Sequence, residues 1–99
     1  MNAITVDARL AARADLRFTP AGIPALDFQL AHESMQTEAG GERKVSCEIE
    51  AVAFAREATL LAAAKLGGGV KVTGFLAARS RTSKTVVLHA TQVEFEQGD

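Results

Sequence analysis

Residues 4–10 read Ile-Thr-Val-Asp-Ala-Arg-Leu, apolar and polar in strict alternation. A period of two sends successive side chains to opposite faces, the mark of a strand with one face in a core and one in solvent. The same period returns three times. Leu26, Phe28 and Leu30 alternate with Asp27 and Gln29 over residues 26–32. From about Lys44, Val45, Cys47, Ile49 and Ala51 oppose Ser46, Glu48 and Glu50. Val70, Val72, Gly74 and Leu76 then oppose Lys71, Thr73 and Phe75. A fifth strand is expected over residues 86–95, apolar on both faces in places. One stretch breaks the period. Over residues 55–66, Leu60, Leu61, Ala64 and Leu66 sit among Ala, Glu and Lys, all strong helix formers. Gly67-Gly68-Gly69 is expected to end that helix, with Gly67 as its left-handed C-cap.

The connections have distinct chemistries. Pro20-Ala21-Gly22-Ile23-Pro24 is a turn, because proline fixes φ and glycine supplies the unusual φ. Residues 33–41, with Ser34, Gln36, Thr37, Glu38 and the Gly40-Gly41 pair, read as an exposed loop. Arg79-Ser80-Arg81-Thr82-Ser83-Lys84 is a basic, polar connection. The order is strand, strand, strand, helix, strand, strand. That is the order of the OB-fold, an all-β five-stranded Greek-key barrel with one short helix between strands three and four. The competing arrangement is a small open α+β sheet. The 99 residues suit one domain spanning 1–99.

Composition narrows the function classes. No apolar run approaches the ~18–20 residues that span a bilayer, and the N-terminus does not read as a signal peptide. The lone cysteine rules out an internal disulfide and suits a reducing cytoplasm. Net charge is −1, so any nucleic-acid affinity must come from locally clustered Lys and Arg. Trp and Tyr are absent, leaving five Phe as stacking side chains.

Catalysis is not expected. Cys47 alternates with Val45 and Ile49, which places it in the core, where a thiol is inert. His32 and His89 each end or interrupt an apolar alternation and read as satisfied structural histidines. There is no CxxC, no HExxH and no calcium-loop pattern, so neither a metal nor another cofactor is expected. The glycine run lacks the GK[ST] of a phosphate loop and follows a helix rather than a strand.

The informative segment is the basic connection. Arg79, Arg81 and Lys84 fall within six residues with no acid between them. In OB-folds the ligand face lies over strands two and three, flanked by the loops joining strands one to two and four to five. The cluster occupies the second of these loops, where cations neutralise phosphates and release counterions. A plain solvated hairpin tip has the same composition. Arg17 near the first flanking loop, and Arg43 and Lys44 at the start of strand three, are further phosphate candidates. Phe75, on the polar face of strand four, is the candidate for base stacking, whereas Phe28 belongs to the core. Asp27, Glu48 and Glu50 on the polar faces oppose phosphate and point to weak binding or to a protein-facing surface.

Pro20-Ala21-Gly22-Ile23-Pro24 is followed by Phe28, Leu30 and His32, and then by Gln36-Thr37-Glu38-Ala39-Gly40 and Cys47. Val72-Thr73-Gly74-Phe75-Leu76 and Ser83-Lys84 come next, then Val87-Leu88-His89-Ala90, Gln92-Val93-Glu94 and the closing Gly98-Asp99. In this order and spacing the segments together resemble the primosomal replication protein N family. The resemblance covers nearly the whole chain. It implies a homodimeric OB-fold related to single-stranded-DNA-binding proteins, without a catalytic site. It also implies a role in replication restart, bridging single-stranded DNA and the primosomal helicase and helping to load further primosome proteins. Neither a membrane nor a small-molecule substrate is implied. By motif position, Arg79, Arg81 and Lys84 match the family's DNA-contacting loop and Phe75 its Gly-Phe pair.

The chain departs from that pattern at four places. The basic loop is about two residues shorter than the enterobacterial one. Ser46 stands where a tryptophan is expected, Glu33 where an arginine is, and Gly41 where an aromatic is. One stacking platform and one phosphate contact are lost, so weaker single-stranded-DNA affinity is expected. Two functions remain open on these residues: a DNA-binding module, and a protein-interaction adaptor of the primosome whose DNA contact is incidental.

Overall fold

The computed structural model describes residues 1–96. The Gly98-Asp99 end of the family resemblance lies outside the described residues. The elements run β1 (Ile4–Arg13), β2 (Arg17–Phe18), β3 (Pro24–Glu38), β4 (Gly41–Phe54), α1 (Arg56–Ala62), β5 (Gly69–Ala78) and β6 (Val86–Phe95).

Five strands close on themselves in the order β1-β5-β6-β4-β3 and back to β1, with β2 a two-residue addition at the edge of β3. Closure needs two unusual pairings. β1 bends so that residues 4–9 pair with β5 while residues 9–13 pair with β3, with a register shift between Leu10 and Ala12. β4 and β6 run parallel and meet only at Ala51↔Leu88, Val52↔His89 and Ala53↔Ala90. This is the five-stranded OB barrel that the order of periods predicts. The alternating apolar residues fill it: Leu10, Leu26, Phe28, Leu30, Val70, Val72 and Leu88 are all buried, and α1 adds Ala58 and Leu61 to the same core.

The helix is shorter than its composition predicts. It ends at Ala62, and the Arg13 guanidinium from β1 donates to the carbonyl oxygens of Ala64, at 2.5 Å, and Leu61, at 3.4 Å. A cation on the last carbonyls satisfies groups that no helical N–H can reach. Gly67 does adopt φ 85°, but in the following turn rather than as the C-cap. Its N–H donates to the Leu10 carbonyl at 2.7 Å and stitches the turn to β1.

The expected loop over residues 33–41 is instead an extension of strand. β3 and β4 pair without interruption from Ala25↔Phe54 out to Glu38↔Gly41. The hairpin is closed by Ala39 and Gly40, both at positive φ (52° and 80°), the signature of a type I′ turn. Its outer half has no second layer to pack on, so residues 33–38 show no regular apolar face and read as a loop. For the same reason Cys47 is not in the core. It pairs with His32 on this projecting part and is exposed, although Ile49 two residues on still packs against the barrel. His32 is a satisfied structural histidine: Nδ1 lies 2.6 Å from the Asp7 carbonyl oxygen and Nε2 2.8 Å from Ser34 Oγ.

Candidate nucleic-acid interface

The outward side chains of four strands form rows across the barrel wall. Asp27 on β3 pairs with Val52 on β4, Val52 with His89 on β6, and His89 with Phe75 on β5. Phe54 extends the Val52 face by two residues along β4. The three rings on this surface meet. Phe75 stacks on His89 with centroids 4.9 Å apart and planes 15° from parallel, and Phe54 lies 6.1 Å from His89 at 30°. Phe54 is 38% exposed and Phe75 39%, so both ends of the row are open.

Glycine makes this closeness possible. Gly74 pairs with Ala90 at a register shift, and a Cβ there would collide with the backbone carbonyl of His89. The missing side chain lets β5 and β6 approach beside Phe75.

Two arginines from distant segments flank the rings. Arg17 on β2 presents Nε and Nη2 to the two carboxylate oxygens of Asp27, each at 3.3 Å. Arg79, at the start of the basic connection, places Nη2 2.5 Å from Glu50 Oε2. Both arginines line one shallow cleft with Asp27, Val52, Phe54, Val87 and His89. A second cleft shares Asp27, Arg79 and Val87 and continues toward Gln29 and Arg13. The pairs are about half exposed, so each contributes little to stability and the guanidinium edges stay open to a ligand.

The basic connection is ordered by its own backbone. The Arg79 N–H donates to the Thr85 carbonyl at 2.9 Å, and Thr85 N–H to Ser83 Oγ at 3.0 Å. Arg81 and Lys84 are exposed on it, two and five residues beyond Arg79. Arg17, Arg79 and Phe75 thus lie on one side of the barrel, and Arg81 and Lys84 follow Arg79 on the connection that leaves it.

Arg43 and Lys44 do not join them. They sit near the tip of the hairpin opposite Gln36 and Met35, with Arg43 held 2.7 Å from Glu38. Ten residues of strand between Lys44 and Phe54 span about 33 Å. The acids also differ from their sequence reading. Asp27 and Glu50 are bound to the arginines, while Glu48 is exposed beside Ala31.

Two residues escaped the sequence reading. His89 reads as structural and Phe54 is given no role, yet both line the cleft that Arg17 and Arg79 line. The alternation Ser46, Glu48, Glu50, Val52, Phe54 was the available signal, because it continues one face to the end of β4.

A family model described as another single-strand binding protein family matches residues 2–92. The replication restart protein PriB of Bordetella pertussis is 45% identical over 92 residues, covering 93% of this chain and 86% of that protein. Its counterpart from Nitrosomonas europaea is 38% identical over 88 residues, covering 89% and 82%. Among solved structures, PriB from Ralstonia solanacearum superposes with a TM-score of 0.87 at 29% identity, covering 97% of this chain and 99% of that one. The single-stranded DNA binding protein from Thermus aquaticus gives 0.78 at 27% identity, covering 99% of this chain and 51% of that one. Relatives and barrel agree with the resemblance carried by the motifs, and the chain belongs to the replication restart protein PriB family.

Proposed function

We propose that this chain is a non-catalytic, single-stranded-DNA-binding accessory protein of replication restart. The observation that supports it best is the pair Arg17 and Arg79, brought from opposite ends of the chain to one cleft with aromatic rings in its wall. On an OB barrel this is the side that takes extended oligomers. Arg79, Arg81, Lys84 and Arg17 neutralise phosphates, Phe75 stacks a base, and Arg43 and Lys44 meet the strand only where it runs out along the hairpin. In this reading the chain acts in the cytoplasm as one OB-fold unit, holds the primosomal helicase on DNA, and helps later primosome proteins assemble.

Homodimerisation is part of the proposal. The β3 ladder covers only residues 9–13 of β1, so apart from the Asp7 carbonyl, which His32 Nδ1 approaches, the edge of residues 4–8 is left for a second copy. Leu76 and Val86 are exposed at the same end of the barrel, on paired strands. Sedimentation equilibrium tests this point.

The second reading is a protein adaptor with incidental DNA binding. It is favoured by the carboxylates of Asp27 and Glu50, which already occupy the two arginines. One experiment separates the two. Fluorescence anisotropy of labelled oligo-dT is measured against salt for the wild type and for a triple Arg79→Ala, Arg81→Ala, Lys84→Ala variant. Three lost contacts should flatten the log-log salt slope by about 2, since each contact to a single strand contributes about 0.7. Negligible wild-type binding at low salt, with helicase binding intact in the variant, would favour the adaptor.

A further inference from the structure

We propose that Phe54, His89 and Phe75 form a three-ring platform for unpaired bases. This rests on the reading that the chain binds single-stranded DNA.

With no Trp or Tyr, phenylalanines and histidines are the aromatic rings that can stack on bases. Phe28 is buried. Phe95 lines a separate cleft under α1 with Leu10 and Leu60. Phe18 follows Arg17 on β2 and so points away from the arginine side. Residues 33–46, the projecting part of the hairpin, contain no Phe, Trp or Tyr. His32 has both ring nitrogens engaged. What remains is Phe54, His89 and Phe75, and both phenylalanine rings stack on His89.

The surroundings suit a nucleic acid. Arg17 and Arg79 border the rings, so a strand laid across them meets guanidinium groups on its backbone and ring faces on its bases. Stacking tolerates every base, and it excludes a duplex, whose bases are already stacked on one another.

Phe54 is also held by a costly backbone. Ala55 follows it at φ 59°, ψ −129°, a region suited to glycine, and its N–H donates to the Pro24 carbonyl at 2.9 Å. Strain of this kind persists where surrounding structure over-determines the position and gathers at functional sites. Here it turns the chain sharply into α1 and leaves Phe54 as the last residue of the strand, its ring toward His89.

The test compares oligo-dT with an abasic oligomer of equal length, both labelled, by anisotropy at low salt. Phe54→Ala and His89→Ala should each weaken oligo-dT binding by about fivefold or more, the low end of what one stacked base contributes. Binding to the abasic oligomer and the salt slope should not change. A Phe54→Trp variant carries the chain's only tryptophan, and its emission should be quenched by oligo-dT and not by the abasic oligomer. Oligo-dT binding that is untouched by both alanine variants, and that leaves the emission of the Phe54→Trp variant unchanged, overturns the platform while leaving DNA binding in place. Equal binding of both oligomers by the wild type also overturns it and assigns the rings to a protein contact. If neither oligomer binds, the underlying DNA reading fails instead.

Discussion

Phe75 and His89 face each other across the β5–β6 ladder with ring centroids 4.9 Å apart, and Gly74, beside Phe75, abuts the His89 backbone. Any side chain at Gly74 must push the two strands apart at that point. Gly74→Ala is therefore expected to cost about 2 kcal/mol of stability, within the range for overpacking. Urea denaturation measures this. The same variant should lose oligo-dT affinity under conditions where it is still folded, because the ring row is disturbed. Unchanged stability would mean that β5 and β6 accommodate a methyl group without moving.

Asp27 and Glu50 hold the arginines but also present negative charge to an incoming phosphate. An exposed pair of this kind is worth up to about 1 kcal/mol. Asp27→Asn and Glu50→Gln should each raise oligo-dT affinity, by up to about fivefold at low salt. The gain should shrink as salt screens the site. A fall in affinity would assign the carboxylates the opposite role, that of orienting the guanidinium groups.

Ala39 sits at φ 52° in the hairpin turn, where an L-residue other than Asn or Asp is disfavoured. Ala39→Asn should stabilise the protein by about 0.5–1 kcal/mol, read by thermal unfolding. Ala55→Gly should likewise relieve its positive φ, by about 1 kcal/mol. It should also loosen Phe54, so its oligo-dT affinity should fall even as its melting temperature rises.

Arg43 and Lys44 lie about 33 Å of strand away from Phe54. An oligomer of about 6 nucleotides, at the short end of OB-fold site sizes, should bind the Arg43→Ala, Lys44→Ala double variant as it binds the wild type. An oligomer of about 25 nucleotides should show a shallower salt slope in that variant, by about 1.4 for two lost contacts. Equal loss on both lengths would bring the hairpin tip into the central site.

Much of the barrel was legible from local pattern. The alternations at Ile4, Leu26 and Val70 report a buried face, and the change of period at Leu60 reports the helix. Such signals need only near neighbours in the chain, since side-chain direction follows from position along a strand or helix. The basic connection was legible too, because Arg79, Arg81 and Lys84 are consecutive in the sequence apart from small polar residues.

What the chain did not announce depends on contacts between strands. Cys47 keeps the alternation of Val45 and Ile49, yet it is exposed because the hairpin outruns the barrel and nothing lies opposite it. His89 becomes the middle of a ring row only because the parallel β4–β6 register sets it beside Val52 and the β5–β6 register sets it opposite Phe75. Asp27 and Glu50 change from repelling acids to partners of Arg17 and Arg79 once the barrel closes. By itself the sequence determined which side chains share a strand face and in what order the elements come, because those follow from periodicity. The tertiary structure decided which side chains share the binding face, because lateral register between distant strands is set by barrel closure and leaves no trace in local spacing.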